Sequence, residues 1–197
     1  MRTEKEKYLE SNPRWVSYLF AILMFIAFTL LIAFSRSAHS DELLIFYLLM
    51  GFAYLVVFTF VAYLLKSGKE LSGKYVFGTA LVFHLIGLLG MPLFEDDYFR
   101  YLWDAYHTVA YGSPYGVAPS EYFLGQFVPA AFHVILSGIN YPDIPTIYGP
   151  TFQYSFLLAY FMAPGEIWAL QLIYSAVDMV LVAALLQLAR PTLVVLY

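Results

Sequence analysis

The sequence of 197 residues contains no cysteine and few charged side chains. The lack of cysteine excludes disulfides, thiolate metal sites, a cysteine nucleophile and iron–sulfur clusters. Charged residues make up only 12% of the chain, whereas a soluble domain carries about 25%. The 10 basic residues do not outnumber the 14 acidic ones, so the chain lacks the positive surface that a nucleic-acid partner requires.

Apolar side chains are abundant instead, at 61% of the sequence, and the mean hydropathy is +0.71. A bilayer core about 30 Å thick is crossed by roughly 20 helical residues. Apolar runs near that length predict an all-α membrane protein with about five transmembrane helices. The predicted spans are 15–34, 43–65, 75–94, 148–163 and 167–189. We expect the fourth to be tilted or partly buried, because it is short and lies between Gly149-Pro150 and Pro164-Gly165.

Lysine and arginine are distributed unevenly between the connections, which predicts how the chain is oriented. Basic residues cluster in the N-terminal tail and between the second and third predicted spans, whereas segment 95–147 holds only Arg100. We therefore expect a cytoplasmic N-terminus and an extracytoplasmic loop at 95–147. Residues 1–197 are interpreted as a single membrane domain. A further apolar run begins at Leu193, so we expect this domain to be truncated at its C-terminus.

The segment from Glu95 to Pro150 differs in composition from the rest of the chain. It holds six of the ten prolines and six of the 14 acidic residues, together with many aromatic side chains. Connections of this length are usually either functional or disordered, and the aromatic content argues against disorder. We therefore expect an ordered loop that carries the chemistry.

The first part of this loop has the periodicity of an amphipathic helix. Its polar positions are Asp97, Arg100, Tyr101, Asp104, His107, Thr108 and Tyr111. Apolar residues, Trp103 among them, form the opposite side, which we expect to face lipid in a juxtamembrane helix. Asp96 is placed to cap this helix, and Gly112-Ser113-Pro114 is expected to end it.

The acidic triplet Glu95-Asp96-Asp97 allows two interpretations. Helix capping and solubility explain it on helix physics alone. Alternatively, one of these carboxylates is a general base at the lipid interface. Arg100 likewise either holds a phosphate by bidentate contact or forms an ion pair with Asp97 or Asp104.

A second dense patch, residues 140–150, leads into the fourth predicted span. Pro142 and Pro145 exclude a helix, so we expect an ordered strip rich in turns. The strip is either a rigid lead-in to that span or a wall that faces the acidic helix and shapes a pocket. In the second case Tyr148 supplies an aromatic surface with a polar tip.

Three motifs stand in order in this region. They are Glu95-Asp-Asp-Tyr-Phe-Arg-Tyr-Leu-Trp-Asp104, Gly112-Ser-Pro-Tyr115 and Asp143-Ile-Pro-Thr-Ile-Tyr-Gly-Pro150. Together they resemble bacterial polytopic glycosyltransferases of the GT-C superfamily, in particular the polyprenyl-phosphate-sugar-dependent mannosyltransferase-like group. That group typically shows Asp-Asp-x-x-Arg-Tyr-x-Trp-Asp-Gly, then Asn-Pro-Tyr, then Pro-Thr-x-Tyr-x-Pro. Here Ala105 stands in place of the usual glycine and Ser113 in place of the asparagine, and neither change touches the acidic residues.

The resemblance implies inverting transfer of a sugar, such as mannose, from a polyprenyl-phosphate carrier to a lipid or glycan acceptor. It places this reaction at the outer face of a bacterial plasma membrane. It implies that this chain is the N-terminal part of such an enzyme, which can be incomplete and inactive alone. It implies Asp97 or Asp96 as the general base, and Asp97 is favoured because it shares the polar stripe with Arg100 and Tyr101. The predicted substrate-binding residues are Arg100, Tyr101, Asp104 and Tyr148. No cofactor and no metal ligands are predicted, although a divalent metal stays open.

Two other functions stay open from the residues alone. His84 and Asp178 lie within predicted spans, where ionisable side chains can belong to the proton or solute path of a transporter. A membrane scaffold without enzymatic activity is the other alternative. The acidic residues cluster outside the predicted spans and not at the middle of the bilayer, which favours the enzyme over the transporter.

Overall fold

The computed structural model describes residues 14–37, 41–124 and 127–197, and these ranges contain helices, turns and loops but no strand. In chain order the helices are α1 (Arg14–Ser35), α2 (Leu43–Lys66), α3 (Gly73–Gly87), α4 (Tyr98–Tyr111), a 3-10 turn (Pro119–Tyr122), α5 (Ala130–Ser137), α6 (Pro150–Met162), α7 (Ile167–Leu188) and α8 (Pro191–Val194). The predicted all-α class is confirmed for these ranges. The basic N-terminal tail, on which the predicted orientation partly depends, lies outside them.

Helices α1, α2 and α7 are long and apolar enough to cross a membrane, which indicates a membrane protein. Their apolar stretches have 21, 24 and 22 residues. At about 1.5 Å per residue they extend about 31 to 36 Å, enough for a bilayer core of about 30 Å. These helices correspond to the predicted spans at 15–34, 43–65 and 167–189.

Two of the five predicted spans, 75–94 and 148–163, contain shorter helices, so the five-span architecture is not confirmed. Helix α3 has 15 residues and α6 has 13, which at about 1.5 Å per residue is less than the thickness of the bilayer core. Helix α3 ends at Gly87 because the chain turns there, with the Gly90 N–H donating to the Gly87 carbonyl at 2.9 Å. After α6, Gly165 has a φ of +79°, which glycine adopts readily.

The chain divides into two compact units. The first combines the described residues up to Met91 with Met179–Tyr197. In this unit α1 packs along α2, with the rings of Phe20 and Phe60 stacked at a centroid distance of 4.0 Å. Thr192, at the start of α8, is fully buried, and its hydroxyl accepts a hydrogen bond from the Leu71 backbone N–H at 3.1 Å.

The second unit spans Pro92–Asp178 and contains all the predicted site residues. Helix α4 is packed against both α5 and α6. Buried side chains from these three helices, from the 3-10 turn and from the start of α7 form one hydrophobic core. Gly138, which ends α5, makes close packing possible, because a Cβ at this position would lie 2.7 Å from the Phe99 ring of α4.

A helix is present where the amphipathic pattern predicts one, but the expectation that its apolar side faces lipid is wrong. Trp103 is only 2% exposed, and Leu102 and Tyr106 are buried as well. The Trp103 ring contacts Tyr122 of the 3-10 turn edge-on at 5.3 Å. The apolar side is therefore covered by protein. Periodicity identifies that side of the helix but not what covers it.

Candidate active site

The acidic triplet lies directly at the start of α4, but Asp96 does not cap the helix as predicted. The N-cap residue is Asp97, whose backbone carbonyl accepts a hydrogen bond from the Tyr101 N–H at 3.1 Å. The Asp97 side chain makes no capping bond. The Asp96 carboxylate instead accepts a hydrogen bond from the side-chain amide of Asn140. Asp96 is thus held by the strip 140–150 and not by the helix N-terminus.

Tyr148 of the strip reaches the second carboxylate of the triplet. Its O–H donates to Oδ2 of Asp97, and its ring meets Tyr101 edge-on at 5.0 Å. Burial, together with the hydrogen bond to Asp97, raises the pKa of the Tyr148 phenol, so Tyr148 stays a donor at neutral pH. No hydrogen bond to Oδ1 of Asp97 is formed by the residues that the structure describes. Asp97 is half-buried, with one oxygen fixed and the other available.

The second motif reaches Tyr148 from the other end of α4. The Tyr115 O–H donates to the backbone carbonyl of Tyr148 at 3.0 Å, and the Tyr115 N–H donates to Oγ of Ser113 at 3.1 Å. The turn that carries Tyr115 begins at Gly112, whose φ of +87° lies in the left-handed region that favours glycine. All three motifs therefore contribute to one set of contacts.

His107 fastens this turn to α4. It is buried, with Nδ1 bonded to the Ser113 carbonyl and Nε2 bonded to the Tyr122 hydroxyl. A ring with Nδ1 protonated donates to the carbonyl and accepts from Tyr122, which satisfies both nitrogens. Burial raises the pKa of Tyr122, which keeps its proton available for this bond. Although His107 belongs to the polar stripe, its observed bonds are structural.

Arg100 and Asp104 form a buried ion pair one turn apart on α4, with Nε of Arg100 3.2 Å from Oδ1 of Asp104. Arg100 also donates through Nη2 to the Ile144 carbonyl of the strip. Oδ2 of Asp104 accepts a hydrogen bond from the Gln153 side-chain amide at 2.9 Å, and the same amide lies 3.3 Å from Oγ1 of Thr146. These bonds join the strip and α6 to α4. Of the sequence alternatives for Arg100, the ion pair with Asp104 is present.

Burial also sets the protonation behaviour of Asp104. It raises the pKa of this carboxyl, and the hydrogen bonds from Thr146 and Gln153 and the charge of Arg100 oppose that rise. Asp104 is 2% exposed and both of its oxygens are engaged within the protein. It therefore acts in the structure as a buried link between elements.

The triplet also brings three carboxylates close together. Glu95, Asp96 and Asp97 can each supply one carboxylate oxygen, and these three oxygens lie within 4.8 Å of one another. Hard cations such as Mg²⁺ and Ca²⁺ take carboxylate oxygens as ligands. Exposed acidic clusters also occur commonly without an ion, so this cluster by itself does not indicate a metal site.

The structure brings most of the predicted site residues together in two layers. Asp97, Tyr101 and Tyr148 form a partly accessible layer, and Arg100 and Asp104 form a buried one. The accessible layer contains the candidate base, Asp97. The buried layer helps to hold the strip 140–150 against α4.

Three further residues make hydrogen bonds in the site, although the sequence analysis assigned them no role. They are Tyr115, Asn140 and Gln153. Tyr115 lies in a quoted motif, and Asn140 begins the strip. Gln153 is a buried amide in an otherwise largely apolar helix, and such a residue needs polar partners. The position of this single amide among mostly apolar residues is the sequence feature that indicates a structural role for Gln153.

Comparison of the chain with protein-family models, with curated proteins and with solved structures found no match. The resemblance to GT-C glycosyltransferases stays a prediction, and it rests on the three motifs.

Proposed function

We propose that this chain carries the active site of an inverting GT-C-type glycosyltransferase that uses a polyprenyl-phosphate-linked sugar, such as mannose, as donor. One observation carries the proposal: three separated motifs meet at one carboxylate. Tyr148 of the third motif donates to Asp97 of the first, and Tyr115 of the second donates to the backbone of Tyr148. A helix cap or a solubilising acid needs no such arrangement, whereas a general base needs an oriented carboxylate.

Asp97 has the features required of a base for an acceptor hydroxyl. Tyr148 holds Oδ2, and Oδ1 is left to take the proton. In the proposed step the acceptor oxygen bonds to the anomeric carbon as the bond from that carbon to the phosphate oxygen breaks. The polyprenyl phosphate leaves with the electron pair, and the acceptor proton moves to Asp97. Phosphate is a good leaving group, so the step does not need the second carboxylic acid that inverting hydrolysis uses.

The remaining predicted residues take two roles in this proposal. Tyr148 contacts Asp97, Tyr101 packs against Tyr148, and we assign both to binding of the sugar or the acceptor. Arg100 and Asp104 chiefly position the strip, because their polar atoms are largely engaged with each other and with the Ile144 carbonyl. Nη1 is the one Arg100 nitrogen left for the predicted phosphate contact.

The membrane setting supports a lipid-linked donor. Three helices are long and apolar enough to cross a bilayer, and the unit that holds Asp97 includes the first half of one of them, α7. A carrier whose polyprenyl chain lies in the bilayer presents its phosphate at the surface. We place segment 95–147 on the extracytoplasmic side of a bacterial plasma membrane, with a lipid or glycan as acceptor, as the distribution of basic residues and the motif resemblance predict.

The test is sugar transfer in proteoliposomes by the full-length product of the reading frame that encodes this chain. Radiolabelled polyprenyl-phosphate mannose serves as donor, and a membrane extract from the source cells supplies acceptors. We expect transfer by the wild type and none by Asp97→Asn, which keeps the side-chain shape but removes the base. Asp143→Asn, an exposed acid of the same strip, is the matched control and should transfer normally.

Each failure has a distinct meaning. Normal transfer by folded Asp97→Asn overturns the assignment of the base, and loss confined to Asp96→Asn moves the role to Asp96. A folded full-length product that transfers no sugar from polyprenyl-phosphate mannose or from polyprenyl-phosphate glucose refutes the proposed reaction and favours a scaffold.

A further inference from the structure

A stretch without charge lies in the middle of the segment that is outside the three membrane-crossing helices. Residues 123–142 contain no Asp, Glu, Lys or Arg. Four large side chains of this stretch that carry no polar group are exposed, and we call them the apolar patch: Phe123, Leu124, Phe127 and Val134. Leu124 and Phe127 are 89% and 86% exposed. An exposed group of this kind usually marks an interaction surface.

Two residues of the apolar patch, from different elements, lie on the same surface. Phe123 follows the 3-10 turn, and Val134 lies on α5. Both line the same shallow groove, together with His133, Leu136 and Ser137. Phe123 and the outer side of α5 therefore belong to one surface.

The inner side of α5 shows where this surface lies along α7. Phe132 and Ile135 belong to the same core as Ala169 and Leu170 in the first turn of α7. A Cβ at Gly165, two residues before α7 begins, would lie 3.2 Å from Cδ1 of Ile135. Helix α5 thus packs beside the end at which α7 starts.

That end of α7 has a defined depth in a bilayer. The helix has 22 residues, so its length of about 33 Å nearly equals the thickness of the hydrocarbon core. Its first turn therefore lies at the boundary between the core and the headgroups. Trp168 in that turn is partly exposed, as expected for an aromatic side chain at this boundary. Because α5 contacts Gly165 and shares a core with this turn, it lies near the same level.

We infer that the apolar patch inserts into the interfacial region of the bilayer beside the first turn of α7, with lipid acyl chains as its partner. The patch has no charged neighbours along residues 123–142 that a protein partner would pair with, and the helix that carries Val134 lies beside the start of α7, which is long and apolar enough to cross a bilayer. Such insertion fixes the second unit against the membrane at the level of lipid headgroups. The inference does not depend on the proposed glycosyl transfer.

The cysteine-free chain allows a direct test with single labels. Leu124→Cys and Phe127→Cys are labelled with the environment-sensitive fluorophore NBD and reconstituted in phosphatidylcholine–phosphatidylglycerol vesicles, with and without doxyl-labelled phosphatidylcholine. Trp168→Cys serves as the reference for the boundary, and Asp143→Cys as the reference for water. Both patch residues are almost fully exposed, so their replacement removes little packing and the variants should fold.

We expect NBD at 124 and 127 to emit at shorter wavelength than at 143, and to be quenched by doxyl lipid as strongly as at 168. Emission at the wavelength of position 143, with quenching by aqueous iodide, would overturn the inference. Shielding from iodide without quenching by doxyl lipid would also overturn it, because a protein surface and not lipid would then cover the patch. Transfer activity is not measured, so this test and the test of function fail independently.

Discussion

Replacement of Asp104 by alanine tests how firmly the strip 140–150 is held against α4. The carboxylate is 2% exposed and accepts hydrogen bonds from Arg100 at 3.2 Å and from Gln153 at 2.9 Å. Without it, the Arg100 guanidinium stays buried, with the Ile144 carbonyl as its remaining described partner. Deletion of one member of a buried ion pair costs about 3–5 kcal/mol. We therefore expect Asp104→Ala to lower the free energy of unfolding by about 3–5 kcal/mol.

The assay is equilibrium unfolding of the full chain in detergent micelles, with sodium dodecyl sulfate as denaturant and far-ultraviolet circular dichroism as readout. The matched control is the double variant Arg100→Met with Asp104→Leu. Replacing a whole buried pair with apolar side chains is often neutral or stabilising, so the double variant should be about 3 kcal/mol more stable than Asp104→Ala. A loss below about 1 kcal/mol for Asp104→Ala, as for an exposed pair, would refute the buried link.

The same carboxyl predicts a dependence on pH. Burial raises the folded-state pKa of Asp104 above its ordinary value of 3.8, so the folded chain keeps this proton to a higher pH than the unfolded chain does. The resulting stabilisation is fully present below 3.8 and is lost as pH rises through the raised pKa. The difference in free energy of unfolding between the wild type and Asp104→Asn should therefore change between pH 3.8 and the raised pKa of Asp104. A constant difference from pH 3.8 to neutrality would contradict the raised pKa.

Two further substitutions test the contacts around the site. Tyr148→Phe keeps the ring but removes the hydrogen bond to Asp97. Since a bond to a charged group contributes about 1.5–3 kcal/mol, we expect kcat for sugar transfer to fall about tenfold or more, and an unchanged kcat would exclude an orienting role. Gly138→Ala places a Cβ 2.7 Å from the Phe99 ring and should cost about 1–3 kcal/mol in the unfolding assay. Gly149→Ala, where a Cβ meets nothing within 4 Å, is the control, and equal stability of the two variants would argue against the close contact.

The five predicted spans show the limit of hydropathy on this chain. The summed hydropathy of residues 75–94 includes every apolar residue in that range. The helix, however, ends at Gly87, and the chain turns before Pro92. The run at 148–163 is shortened in the same way, because the helix begins only at Pro150. Hydropathy reports how apolar a run is, whereas the crossing of a bilayer depends on how long the helix continues.

Helix α4 shows the limit of periodicity. The pattern of polar and apolar positions predicted a helix that ends at Gly112, and the structure has one. The same pattern predicted that Trp103 faces lipid, whereas protein covers it. Periodicity orients side chains about their own helix axis only. The polar stripe also gave no sign that Arg100 and Asp104 are buried, because that depends on the strip that lies over them.

By itself the sequence determined the chemical class of this protein: membrane-associated, helical, without thiol chemistry, and with its acidic and proline-rich segment at 95–150. These properties follow from composition and from interactions between residues close in the chain. Only the tertiary structure decided that Tyr148 donates to Asp97, 51 residues away, and that Tyr115 holds the backbone of Tyr148. Such contacts depend on how α4, α5 and α6 pack together, and that packing is set by the shapes of many buried side chains at once.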